Sequence, residues 1–541
     1  MRAIRTFRYL FDRDEGVATH LIARWLFLRA LGLIFFSAFF ALIFQIRGLI
    51  GPQGILPADD YLQRARTLGP LRLWYVPSVL WLSTSNHALM TLCWLGLIAS
   101  VLLVANLAPR AALLACFICF LSFIGVSQDF GNYQSDGMLL EAGFLSLFIA
   151  PAGLLPGWGR KSLPVRAAMF LLLWEWFRIY FESGAVKLLS GDPTWRNLTA
   201  MYEYYQNGPL PTWIGWYLQH LPHWFQIATA GLTLFMELVL VWMAFLPRRW
   251  RVACFCIVTV WQIGVIATAN YAFLNYLVLV LAILLLDDAT LIRFVPHRWR
   301  SYLTPASAST LRHADEASAN EPTSRSTGLA FGVSATGAVI SAVFLTWIAY
   351  ATTVQLIAMF WQRAPLPTAP VAALEPFRIA NAYGLFATMT PHRYEIEFQG
   401  SNDGANWTPY LFRYKPQDLH ERPRIYAPYQ PRFDWNLWFA SLTTWRDALI
   451  VPLTEERLLE NSQDTLGLFR SNPFPQQPPR YVRAVLWRYW FSTPEEKRTQ
   501  GVWWRRELLG TYAPTVEHLP DGRFGIVQPP TLDTIGQPQA P

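Results

Sequence analysis

The sequence is poor in charge, cysteine and histidine for its length. Of 541 residues only 15% are Asp, Glu, Lys or Arg, while 53% are hydrophobic. That balance excludes an ordinary soluble globular protein, and the length excludes a single small domain. The five cysteines, Cys93, Cys116, Cys119, Cys254 and Cys256, all sit within apolar runs. None falls in the polar C-terminal region, so no disulfide framework is available there. Cys116 and Cys119 form a Cys-x-x-Cys pair, but the setting, Leu-Leu-Ala-Cys-Phe-Ile-Cys-Phe, suits core packing better than redox or metal chemistry. His-Glu-x-x-His, Gly-x-Ser-x-Gly and phosphate-loop patterns are lacking, which removes the common hydrolase and nucleotide-binding signatures. His220 and His223 straddle Leu-Pro without a third ligand, and the spacing of Asp129, Asn132 and Asp136 fits no standard calcium loop. No metal and no cofactor is therefore expected.

What the chain has in plenty is apolar and aromatic. Aromatics make up 15% and include 25 Trp. Trp25, Trp158, Trp224, Trp250 and Trp299 lie near the ends of apolar runs, where interfacial belts place them. A membrane-spanning helix takes about 20 mostly apolar residues. Nine candidates lie near 27–47, 88–107, 111–127, 138–155, 165–186, 224–246, 252–268, 270–286 and 333–358, of which the third, seventh and eighth are short. Arg2, Arg5, Arg8 and Arg13 ahead of the first long run read as a signal-anchor helix rather than a cleaved signal peptide.

The formal charge of +8 invites a nucleic-acid reading, but the arginines flank apolar runs and no aromatic–basic array is present. Before the last helix, one set of loops holds only Arg47, Arg64, Arg66, Arg72, Lys187 and Arg196, and the alternate loops hold the rest. Basic loops stay inside. The N-terminus is therefore expected inside and the C-terminal domain outside.

The predicted architecture is a polytopic α-helical membrane protein with about nine transmembrane helices and a C-terminal β-rich extracytoplasmic domain. Residues 1–300 form the membrane bundle, 301–327 a flexible Ser/Ala/Thr-rich cytoplasmic linker, and 328–360 the final transmembrane helix. Residues 375–515 form the β-rich domain and 516–541 a Pro-rich tail. Within that domain, Tyr394–Gln399 and Tyr410–Tyr414 around Asn402-Asp-Gly404 read as a β-hairpin, and Tyr481–Phe491 as a further strand. Asp434–Leu442 and Trp445–Leu449 look helical. Trp435, Trp438 and Trp445 are client-binding candidates if exposed, and core residues otherwise.

Glu175, Arg178 and Glu182 stand at i, i+3 and i+7 on the fifth segment, on nearly one helical face. Charge at membrane depth is costly, so that stripe should face the bundle interior or a wet cavity. Glu141 and Glu237 are isolated carboxylates on the fourth and sixth segments. An internal ion-pair network around Arg178 is the plainer reading, and catalysis the sharper one. Lys187 lies a turn further along.

Several blocks carry a family resemblance: Ser183-Gly-Ala-Val-Lys-Leu-Leu-Ser-Gly-Asp-Pro-Thr-Trp195, Pro209-Leu-Pro-Thr212, Pro376-Phe-Arg-Ile-Ala-Asn-Ala-Tyr-Gly-Leu-Phe386, Ala427-Pro-Tyr-Gln-Pro-Arg-Phe-Asp-Trp435 and Trp503-Trp-Arg-Arg-Glu-Leu-Leu-Gly510. Through them the chain resembles the lipase maturation factor family. The resemblance implies a membrane protein that assists the folding or assembly of secreted lipases or other exported proteins. It also implies client contact through the outer domain, with membrane lipids and the exported client as partners and no nucleic acid. Short loops and the Ser/Ala-rich linker suggest a bacterial inner membrane with a periplasmic C-terminal domain. A eukaryotic source would imply the endoplasmic reticulum membrane and its lumen. More distantly, the membrane half resembles the transmembrane fold of vitamin K-dependent carboxylases (HTTM-like). That likeness implies an alternative: an integral-membrane enzyme with Lys187, in Gly184-Ala-Val-Lys187-Leu188, as base and Glu182 beside it.

Overall fold

The computed structural model describes residues 2–296, 300, 328–520 and 522–532. The predicted linker, and the end of the tail from 533, lie outside the described residues.

Each of the nine apolar segments contains helix. They are α1 (Leu21–Ile43), α2 (Asn86–Val104), α3 (Pro109–Ile124), α4 (Gln134–Ser146), α5 (Arg166–Leu189), α6 (His223–Leu238), α7 (Arg248–Thr268), α8 (Leu274–Ala282) and α9 (Gly328–Phe360). Among the described residues, five spans, Leu21–Ile43, Asn86–Val104, His223–Phe245, Arg248–Thr268 and Thr336–Phe360, are long and apolar enough to cross a membrane. α3 and α8 are apolar but shorter, and α5 carries the charged stripe. α1 is the most enclosed of the five spans, with 61% of its apolar window buried, and α7 the least, with 22%. The former packs against α2 and α8, while the latter keeps an apolar face bare at Ile257, Val260 and Ile263.

The fourth predicted segment, 138–155, is helical only to Ser146. Beyond it the chain unwinds, and arginines from other elements occupy the freed carbonyls. Arg13 donates to Leu147 and Ala150, Arg110 to Ala150, and the buried Arg24 to Ile149, Trp158, Gly159 and Ser162. Several arginines that a charge count assigns to a membrane flank thus double as caps for irregular backbone, which must be satisfied wherever it is buried.

The C-terminal domain is built on a sheet in the order β2-β1-β5-β7-β8, with β6 also on β5. Its strands are β1 (Arg393–Ser401), β2 (Thr408–Pro409), β5 (Tyr481–Phe491), β6 (Trp504–Thr511), β7 (Thr515–His518) and β8 (Phe524–Gln528). β1 and β5 run antiparallel over their length, with Ile396 opposite Leu486. The predicted hairpin turns at Gly404 (φ +72°), where Asp403 accepts from the amides of Ala405 and Asn406. Its return strand is shorter than expected. β2 ends at Pro409, which has no amide to donate, and β3 (Leu411–Phe412) leaves to pair with β4 (Phe469–Ser471). The sheet also runs past 515, because β7 and β8 occupy ground read as tail.

Two helices pack on this sheet, α10 (Arg432–Ala440) and α11 (Ile450–Leu459). Trp445–Leu449, expected helical, forms turns instead. Helix begins at Ile450, which puts Pro452 in its first turn, where an amide is not needed. Buried residues of the bundle and of the C-terminal domain join in one continuous apolar core, from Phe27 and Leu113 through Tyr383 to Phe398 and Leu437.

Candidate functional site: a buried charge cluster clamped by the C-terminal segment

Four of the six predicted intramembrane residues, Glu141, Glu175, Arg178 and Glu182, converge, Lys187 and Glu237 form a pair further along α5, and the chain that closes over them comes from beyond α9. On α5, the 3.6-residue period puts Glu175, Arg178 and Glu182 on one face, and all three are fully buried. Arg178 pairs with Glu141 of α4, and Glu182 lies 3.9 Å from its other terminal nitrogen. That nitrogen donates at 2.5 Å to the carbonyl of Asn381. Asn381 in turn gives its backbone amide to Glu141 Oε2 at 2.9 Å and its side-chain amide to the carbonyl of Gly137 at 3.0 Å. The Tyr383 hydroxyl donates to the same Glu141 oxygen at 2.9 Å, and the Tyr383 amide donates to Glu182 at 2.6 Å. The Tyr383 ring also faces the Arg178 guanidinium at 5.1 Å. Glu175 faces the same group, its carboxyl beside the Ala142 backbone and the Tyr383 hydroxyl, although neither oxygen reaches full hydrogen-bond geometry among the described residues.

The same segment runs on along α5. The Leu385 carbonyl accepts from Lys187, and the Phe386 carbonyl accepts from the Trp195 indole at 3.0 Å. The Ala387 carbonyl accepts from Ser190, and the Met389 amide donates to Asp192. Lys187 is buried, and its three hydrogens have three acceptors: Ser183 O at 3.3 Å, Leu385 O at 3.0 Å and Glu237 Oε1 at 2.9 Å. Glu237 comes close because Gly184 faces it. A Cβ there would press on the side chains of Glu237 and Leu238. A lysine base needs a free lone pair directed at substrate. The Lys187 nitrogen is instead spent on structure, and the carboxylase-like reading of Lys187 and Glu182 has no support.

Asn381 and Tyr383 were not among the expected site residues. The signal for them was the polar pair inside Arg378-Ile-Ala-Asn-Ala-Tyr-Gly-Leu-Phe386, a turn-like block between α9 and β1. The three tryptophans offered as client contacts are placed differently. Trp435 is 6% exposed and stacks on Tyr133 at 5.0 Å, and Trp438 is 8% exposed. Trp445 is half-buried, with Arg446 over its ring. α10 is wedged between the sheet and the loop before α4, so the first two rings are consumed by internal packing rather than presented to a partner. Asp136 is likewise no cation ligand: Arg432 holds it. Cys116 and Cys119 are free and buried.

A bundle of apolar helices whose buried charges are closed off by its own C-terminal β-containing domain defines an integral membrane protein with a firmly docked extramembrane domain. Comparison with known proteins gives the family. The lipase maturation factor transmembrane domain matches residues 22–293, and the lipase maturation factor C-terminal domain matches residues 379–514. Lipase maturation factor 1 of Bos taurus is 31% identical over 517 residues, covering 92% of this chain and 89% of that protein. Lipase maturation factor 2 of Gallus gallus is 32% identical over 605 residues, covering 95% and 82%. The Homo sapiens lipase maturation factor 2 is 32% identical over 613 residues, covering 95% and 84%. No solved structure matches the chain. The chain belongs to the lipase maturation factor family.

Proposed function

We propose that the protein is a membrane-embedded maturation factor for exported lipases, acting as a rigid platform that presents its C-terminal domain to the client. One observation carries the platform reading: the Arg378–Phe386 segment enters the bundle and satisfies the buried charges of α4 and α5. Membrane half and C-terminal domain are thereby one unit, which a mere anchor on a flexible tether would not need. The lipase client follows from what the relatives are named for. We further infer nine membrane crossings, with the basic loops inside and the C-terminal domain outside, in the periplasm of a bacterial cell. The client surface lies on exposed parts of the C-terminal domain, not on Trp435 or Trp438.

Co-expression tests this. A secreted lipase is produced with the full chain, with a chain truncated after residue 375, or alone, and active lipase is measured. Activity per unit of lipase should rise only with the full chain. Equal activity in all three would refute the reading.

A further inference from the structure

Beside the Lys187–Glu237 pair lies a cavity of about 320 Å³, a size that suits a small-molecule site. α5, α6, α7 and α8 wall it, and Phe386 closes it toward the C-terminal domain. α6 leans on α5, while α7 leans on α8 and on the turn Leu240–Phe245, which leaves a cleft between α6 and α7. Its lips are the exposed Leu232 and Gly264, and the exposed apolar side chains of Val260 and Ile263 flank it on α7. An apolar cavity that opens sideways between two membrane-crossing helices is reached from the lipid.

The polar end of the cavity says what enters. Gln262, 5% exposed, donates to the Tyr180 hydroxyl at 2.6 Å, which leaves its Oε1 without a partner. Glu237 Oε1 accepts from Lys187, while Oε2, in ionic contact with the same ammonium, accepts no hydrogen bond. These two positions are acceptors, and the Tyr271 hydroxyl on the same wall, also without a partner among the described residues, can accept or donate. Lys187 has no hydrogen to spare and its charge is matched, so nothing here calls for an anionic group. Buried polar atoms are ordinarily satisfied, and a donor on the occupant would satisfy these two.

We propose that this cavity holds an acyl chain of a membrane lipid whose head carries a hydroxyl or amine that donates to Glu237 and Gln262. The inference does not depend on the identity of the client.

The test uses the full chain in nanodiscs with three lipids carrying a diazirine on the acyl chain: diacylglycerol, phosphatidylethanolamine and phosphatidylcholine. The last has no donor. Labelled peptides are mapped by mass spectrometry. Peptides holding Leu232, Val265 and Phe386 should be labelled about fivefold or more above the phosphatidylcholine level, as one extra hydrogen bond would give. Preference for diacylglycerol would identify a hydroxyl lipid, and preference for phosphatidylethanolamine an amine lipid. Gly264→Trp should abolish the preference by filling the cleft, since nothing lies within 4 Å of a Cβ at that position. Gly337→Trp, equally open but on α9, should leave it intact. Gln262→Met should reduce it without unfolding the protein. Equal labelling by all three lipids, or labelling indifferent to Gly264→Trp in folded protein, would overturn the proposal.

Discussion

Arg432 of the C-terminal domain grips Asp136 of the membrane half with both terminal nitrogens, at 2.7 and 2.8 Å. Both side chains are fully buried, and the guanidinium also donates to the Phe130 carbonyl at 2.6 Å. Around this fork, Gln45 bonds the backbone of Gln430 and Arg432, and Asn270 bonds that of Arg424, Tyr426 and Ala427. Two domains with a weak interface would not bury a bidentate ion pair. Here the pair and its neighbours set the orientation of one against the other.

Removing one partner strands the other charge in the interior, and that ordinarily costs about 3–5 kcal/mol. Arg432→Met should therefore destabilise the whole protein by that amount in denaturant unfolding, and should expose the C-terminal domain to protease. Arg432→Lys should recover only part, because a point charge cannot make the fork. A C-terminal domain as protease-resistant in Arg432→Met as in wild type would show that docking does not rest on this pair.

Glu455, on α11 beneath the sheet, gives the C-terminal domain a dependence on pH. Burial pushes its carboxyl well above the ordinary 4.5, and the Ala484 amide offsets only part of that. The folded state therefore holds a proton that the unfolded chain releases. Stability from this residue is full below about pH 4.5 and falls as pH rises toward the folded value. Glu455→Gln, which keeps the shape without the titration, should raise stability by at least about 1 kcal/mol at pH 8 and leave it little changed at pH 4. Unfolding midpoints at the two pH values measure this. A variant that is destabilised equally at both would remove the argument.

How much of this could be read from the sequence follows from what each feature depends on. The helices were legible because apolar runs are local, as was the face shared by Glu175, Arg178 and Glu182, which needs only the helical period. β1 and β5 were legible from alternation and the Asn-Asp-Gly turn. Glu141 and Glu237 could be named as isolated carboxylates, but their partners could not. Each partner arises from chain folding back across a long stretch: Asn381 returns to Glu141, and Leu385 to Lys187. Periodicity carries no record of such contacts. Trp435 illustrates the converse failure, since an aromatic-rich helix reads alike whether its rings face a client or the loop holding Tyr133.

Lys187 and Glu237 offer the sharpest separation between a structural charge and a reactive one. At 2.9 Å, with Gly184 permitting the approach of α5 and α6, each offsets the burial cost of the other. Lys187→Met alone leaves Glu237 uncompensated and should cost about 3–5 kcal/mol, with lower yield of folded protein. Replacing both, as Lys187→Met with Glu237→Leu, removes the stranded charge and should return stability to within about 1 kcal/mol of wild type, because apolar replacement of a buried pair is often neutral. If the pair serves only to hold helices, the double variant should also recover lipase maturation in the co-expression assay. A double variant that is folded and stable yet inactive would mean that the pair takes part in function, through Glu237 at the cavity if the lipid preference is lost as well, and through Lys187, against its structural account, if that preference persists.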